Sequence, residues 1–254
     1  MEKSYPLPRP ATASPTRANV YQSRSVKLIV LLTIGIILTV LHLQSPGQEK
    51  KLVPAGPRER HGAIAEETKV PLEIHIMSKC PDALDCLRDL IVPAMSKTAS
   101  KVNFTLSYIG RPTDPDDGVE CMHGPTECLG NILELCAAYE YPDPKIYLGF
   151  ALCMSRKYSD IPAHSLVQNC ALEHGMSFDQ INDCASREDG SFGIKLLRDS
   201  VTRSKDVGAT RSCTVRLDER VRCVRDGGEW KDCEGGSSVK SLTGDIEHLY
   251  GEKN

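Results

Sequence analysis

Eleven cysteines, all lying between Cys80 and Cys233, constrain this chain more than any other feature. A reducing compartment gives structural disulfides no lifetime, so such a set belongs to an oxidising one. The long cysteine-free N-terminal part then suggests a region outside the folded domain, ahead of a cysteine-rich part inside an oxidising lumen. An odd count leaves at least one thiol unpaired, or paired with another molecule. A net charge of -3 offers no basic footprint for phosphate, and nucleic acid is not an expected partner.

Residues 1–27 carry Pro6, Pro8, Pro10 and Pro15 among Ser, Thr and Arg, the composition of a disordered tail. Residues 28–43, LIVLLTIGIILTVLHL, are uncharged and almost continuously apolar. The run is shorter than the roughly 20 residues of a full span, but a thin bilayer and a snorkelling Lys27 accommodate it. A cleaved signal peptide, which would release a secreted domain, is the alternative; the long preceding tail and the lack of a small-residue cleavage site argue against it. A buried core helix is disfavoured by the missing polar face. The cysteines belong on the luminal side, which makes this a single-pass anchor with a cytosolic N-terminus and the large part in the lumen of the secretory route. Residues 44–70 are polar and Pro-containing, a stalk, and the folded domain is expected over 71–254.

Within that domain Leu72, Ile74 and Ile76 alternate as a strand, and the run after Pro81 reads as the start of a helix over about 85–92, with Pro93 as a stop or kink. His75, on the other face of the strand, reads as exposed. Val102 to Ile109 alternates as a second strand, so strand, helix and strand imply a parallel pair in an α/β sheet. Asn103-Phe104-Thr105 is a glycosylation sequon. Short helices follow around 131–139, 145–158, 165–174 and 178–184, then a longer one at 192–202. Thr214 to Leu217 and Val221 to Val224 read as a hairpin, the Gly227-Gly228 turn brings in Trp230, and 239–249 closes the chain as a helix.

Cys80 thus stands where a strand hands over to a helix. Orphan backbone N–H groups and the helix dipole favour a negative sulfur there, and the thiolate is the species that attacks disulfides. A structural Cys80–Cys86 bridge is the plainer reading of the same stretch. Asp82 and Asp85 are candidate helix caps whose charge disfavours a thiolate, while Lys79 opposes them.

The run Cys121-Met122-His123-Gly124-Pro-Thr-Glu127-Cys128-Leu-Gly-Asn131-Ile-Leu-Glu-Leu-Cys136 carries the most specific spacing in the chain. It closely resembles the signature of the gamma-interferon-inducible lysosomal thiol reductase family, with Met122 in place of the usual Gln. The Cys213, Cys223 and Cys233 tail is similar to that of fungal-type members. The resemblance implies a thioredoxin-like domain with a helical, disulfide-bonded insertion at about 119–190. It implies a thiol–disulfide oxidoreductase that reduces protein disulfides in a lysosomal or vacuolar lumen, with Cys80 as nucleophile, Cys86 as resolving partner and no cofactor. Two departures stand out. The pair is C-x5-C rather than C-x-x-C, and on one helix its Cα atoms would lie about 9 Å apart, beyond the roughly 4.4–6.8 Å of a disulfide. No proline follows Pro162, where such enzymes set a cis-proline opposite the active cysteine.

Cys121, His123 and Cys128 could be read as zinc ligands, but in an oxidising lumen disulfides among Cys121, Cys128, Cys136, Cys153, Cys170 and Cys184 are the stronger reading, with Cys213, Cys223 and Cys233 as further structural disulfide candidates, and no metal is expected. His123 and Glu127 read as structural rather than catalytic. The rival to an enzyme is a non-catalytic luminal binding module in which Cys80–Cys86 is a permanent staple.

Overall fold

The computed structural model describes residues 67–114 and 118–254. The tail, the apolar run and most of the stalk lie outside the described residues, among which no helix is long and apolar enough to cross a membrane.

The first strand, β1 (Val70–Ile76), begins one residue before the expected domain start, and Val70 is fully buried. A helix follows from Cys80 in three continuous pieces: α1 (Pro81–Cys86), a π-helical turn (Leu87–Ile91) and α2 (Val92–Thr98). Pro93 does not stop it. A proline inside a helix lacks an N–H and crowds the carbonyl four residues back, and the wider π turn lies directly before it. Strand β2 (Val102–Tyr108) pairs parallel with β1 through this crossover, as the strand–helix–strand order predicts. A two-stranded ribbon follows, β3 (Arg111–Pro112) and β4 (Val119–Glu120).

Four helices then form a disulfide-bonded block: α3 (Pro125–Glu140), α4 (Pro144–Ser155), α5 (His164–Glu173) and α6 (Phe178–Ser186). Both α3 and α4 begin at a proline, where the missing N–H and fixed φ suit the first turn. Helix α7 (Ser191–Asp206) leads back to the sheet. Strands β5 (Thr214–Leu217), β6 (Arg220–Asp226) and β7 (Glu229–Lys231) complete it in the order β2-β1-β5-β6-β7, with β5 antiparallel to β1. The β5–β6 hairpin turns at Asp218 and Glu219, both with positive φ. Helix α8 (Val239–Lys253) closes the fold. A parallel pair joined by a helix, an antiparallel hairpin beside it and a terminal helix make the thioredoxin-like arrangement, with the helical block between its halves.

β1 is an interior strand of the sheet, between β2 and β5, and side chains on both its faces are buried. Leu72, Ile74 and Ile76 enter the core with Leu87, Leu90 and Ile91. His75 is fully buried on the other face, a correction to its expected exposure: α7 covers it there, and Ser204 Oγ lies 2.8 Å from its Nδ1.

Candidate active site

The chain turns tightly after β1. Cys80 N–H donates to Met77 O (3.1 Å), and the Cys80 carbonyl accepts from Ala83 N (3.1 Å) and Leu84 N (3.4 Å), so Cys80 occupies the N-cap of α1. Its thiol is partly exposed and unbonded, and donates to the Ser212 carbonyl at 3.6 Å. Ser212 Oγ in turn accepts from Met77 N (2.8 Å), while Cys213 exchanges two backbone hydrogen bonds with Arg225 of β6 (2.9 and 2.8 Å). The Ser212–Cys213 peptide is cis, and it lies opposite Cys80, where a proline was expected and not found.

The expected Cys80–Cys86 pair is not formed. Cys86 is bonded to Cys213, with Cα atoms 6.2 Å apart, and both residues are fully buried. The cause is the helix itself. It starts at once after Cys80, so six residues of helical rise carry Cys86 about 9 Å along the axis and into the core. Cys213, which the sequence grouped with the remaining structural candidates, meets Cys86 because β5 runs beside β1.

Asp82 and Asp85 do not cap α1, whose N-cap has no side-chain hydrogen bond. Asp82 accepts from Gly227 N and Gly228 N at 2.9 Å each. Asp85 pairs with Arg225 (2.8 Å) and Arg88 (2.8 Å). Arg225 also stacks over Trp230, 5.4 Å from the ring centroid. The two carboxylates therefore tie the first helical turn to the β6–β7 hairpin. Lys79 is likewise engaged, its ammonium donating to Ile161 O (3.0 Å) and Thr126 Oγ1 (3.3 Å).

The signature run grips the Cys80 turn from the other side. Asn131 Oδ1 accepts from Ser78 N (3.1 Å), and Ser78 Oγ donates to Glu127 O (3.4 Å). Gly130 presses on the same serine. A Cβ there would lie 2.8 Å from Ser78 Oγ and 2.3 Å from Ile161 Cγ2. Gly124 takes φ 81° at the N-cap of α3, a backbone that suits glycine. The buried Glu127 carboxylate accepts from His123 N (3.2 Å) and meets His123 Nδ1, closing the first turn of α3 on itself. Among the described residues the hydrogen-bond partners of Cys80 are Ser212, Met77, Ala83 and Leu84, and neither His123 nor Glu127 is one of them.

Two buried titratable clusters flank this core. Burial holds the His75 imidazole down to about 4, against the pull of Glu73. Burial works to raise Glu73, but hydrogen bonds from Arg203 and the charges of Arg203 and Arg216 outweigh it and keep its carboxyl below the usual value. Ser204 donates onward to Tyr108 O (2.8 Å), so its hydroxyl is committed and buried. Farther along α3, the Glu134 carboxyl is pushed up to about 8, chiefly by burial, and Tyr108 OH lies 2.6 Å from its Oε2. The sequence reading passed over Glu134, although Glu127, Asn131 and Glu134 recur at helical spacing on the face of α3 turned to the core. It also passed over Ser78, Ser212 and Arg225, which owe their roles to tertiary contact and carry no local signal.

The remaining cysteines form four bridges: Cys121–Cys128, Cys136–Cys184, Cys153–Cys170 and Cys223–Cys233. The first commits both thiols of the zinc reading. Cys153, Glu173 and His174 bring potential ligand atoms within 4.8 Å of one another, but the Cys153 sulfur is bonded to Cys170. Asn103 and Thr105 of the sequon are exposed on β2, an edge strand.

Residues 71–174 match the sequence model of the family described as gamma interferon inducible lysosomal thiol reductase (GILT). The chain is 28% identical over 154 residues to GILT-like protein 1 of Drosophila melanogaster, covering 54% of this chain and 62% of that protein. It is 30% identical over 146 residues to the gamma-interferon-responsive lysosomal thiol protein of Arabidopsis thaliana, covering 55% and 56%. The chain thus spans about three fifths of the length of the curated relatives it matches. Among solved structures, oxidised BdbD of Bacillus subtilis superposes with a TM-score of 0.49 at 12% identity, over 72% of this chain and 88% of that one.

Proposed function

The chain belongs, through residues 71–174, to the gamma interferon inducible lysosomal thiol reductase family, and on that premise we propose that it reduces protein disulfides with Cys80 as the attacking thiol. The observation that carries this reading is that, of eleven cysteines, Cys80 alone is unbonded, and it is partly exposed where a central strand meets a helix. The Cys80 thiolate attacks one sulfur of a substrate disulfide. The substrate S–S bond breaks, the departing sulfur takes up a proton, and Cys80 is left in a mixed disulfide. Asn131, Gly130 and Glu127 fix the preceding Ser78, and Ser212 fixes Met77, so the turn that presents the sulfur is held from both sides. Cys86, held by Cys213, is left out of the step.

The five bridges support a luminal setting, and we place the domain on the luminal side of a membrane anchor at 28–43, with glycosylation at Asn103. The test is turnover of a disulfide-containing protein by the full-length chain from about pH 4 to about pH 8. Wild type turns the substrate over, and Cys80→Ser falls to background. Equal inertness of both across that range would leave the disulfide-stapled binding module as the reading.

A further inference from the structure

We propose that Cys80 works as a single thiol, and that its mixed disulfide is opened by a low-molecular-weight thiol drawn from solution while Cys86–Cys213 stays closed as a brace. This rests on the reading of Cys80 as the attacking group.

A resolving cysteine must bring its sulfur beside the mixed disulfide. On a helix that begins at Pro81, the side chain that returns to the Cys80 face lies three residues on. That residue is Ala83, fully buried, its N–H bonded to the Cys80 carbonyl. Cys86 lies a further turn into the core and is bonded to Cys213. Every other cysteine of the chain is also in a bridge. No intramolecular thiol is therefore available in this state, at any distance. The attacking thiol must come from outside. Once half of the substrate is bonded to this partly exposed sulfur, with the Ser212 carbonyl 3.6 Å away on one side, a slender thiol has less to displace than a second folded protein docking over the bound half.

The electrons balance with two small thiols. Cys80 opens R–S–S–R′ to give Cys80–S–S–R and R′–SH. A first small thiolate attacks the Cys80 sulfur, breaking that mixed disulfide and releasing R–SH. A second attacks the small-thiol sulfur now on Cys80, forms the small-molecule disulfide and returns the Cys80 thiolate. The substrate is reduced by two electrons, and the two small thiols are oxidised to one disulfide.

The experiment is single turnover by the full-length chain, with Cys80 reduced and the five bridges verified intact by peptide mapping. The substrate is a two-chain disulfide peptide whose halves are told apart by mass. Without added thiol, wild type is expected to release one half and hold the other on Cys80. Added glutathione then releases the held half at a rate linear in its concentration, and a thioredoxin-type dithiol protein at equal thiol concentration acts more slowly. Ala83→Cys, which installs a thiol one helical turn from Cys80, is expected to release both halves with no glutathione present. Release of both halves by wild type without added thiol, lost in Cys86→Ser or Cys213→Ser, would overturn the proposal in favour of internal resolution. Faster release by the dithiol protein would overturn it in favour of a protein reductant. If wild type and Cys80→Ser both release neither half, the attacking role of Cys80 itself falls, and that failure shows at the first step rather than the second.

Discussion

The helical block and the part of the sheet that carries Cys80 use the same bond for opposite ends. In the block, Cys136–Cys184 joins α3 to α6 across 48 residues and Cys153–Cys170 joins α4 to α5 across 17. These bridges complete a set of short helices with little sheet to rest on, and no thiol is left over. At the interior strands a single bridge, Cys86–Cys213, spans 127 residues and clamps the helix after Cys80 to the start of β5. It consumes the thiol that the C-x5-C spacing offered as a partner and leaves Cys80 open. In the proposed reading the closed set is scaffold, and the one sulfur that no bridge takes, Cys80, is the attacking position.

Breaking the two kinds of bridge should separate these roles. In the chain-entropy view a disulfide stabilises more as its loop lengthens, about 5 kcal/mol for a loop of the Cys86–Cys213 size and about 3 kcal/mol for one of the Cys153–Cys170 size. Cys86→Ala/Cys213→Ala is therefore expected to lower the denaturation midpoint more than Cys153→Ala/Cys170→Ala. The first pair of changes should also alter the alkylation rate of Cys80, by loosening the Ser212 carbonyl beside it, and the second should not. Equal effects on Cys80 from both would remove the distinction.

A smaller effect probes the grip of α3 on the Cys80 turn. Asn131→Ala leaves the buried Ser78 N–H without its acceptor, a loss of about 1–3 kcal/mol. Activity per folded molecule should fall along with stability, read as a drop in turnover at temperatures where the variant is fully folded. Unchanged turnover would reduce the signature to scaffold.

The most gradual effect, at most about 1.4 kcal/mol for any one pH unit, is a slope with pH. Glu134 keeps its proton in the fold up to about 8, whereas its ordinary value is 4.5. Its contribution is complete below about pH 4.5 and is lost as the pH rises through about 8. His75 works in the other direction. Held down to about 4 from 6.5, it stays neutral in the fold where the unfolded chain takes up a proton, so stability rises with pH over that window. The two oppose each other below about pH 6.5 and leave a falling slope above it, at most about 1.4 kcal/mol per pH unit. Glu134→Gln should flatten that slope in denaturation curves, and an unchanged slope would remove Glu134 from the account.

Much of this was legible in the residues. Alternation gave β1, β2 and the β5–β6 hairpin, because each has a β-branched run bounded by turn residues. The signature contained Glu127 and Asn131, two of the residues that grip the Cys80 turn. Helix starts were read late at Asn131 and Lys145 because Pro125 and Pro144 act as openers rather than breakers. His75 was misplaced because strand alternation says which residues share a face, but not whether a helix covers that face. The Cys86–Cys213 bridge had no sequence signal, since the two residues meet only through the pairing of β1 with β5.

The central claim, that Cys80 alone is left open by the bridge network, is tested most directly by alkylating the native full-length chain and mapping its cysteine peptides without reduction. The account predicts one modified residue, Cys80, and a linked Cys86–Cys213 peptide pair. A linked Cys80–Cys86 pair, with Cys213 carrying the label, would contradict it.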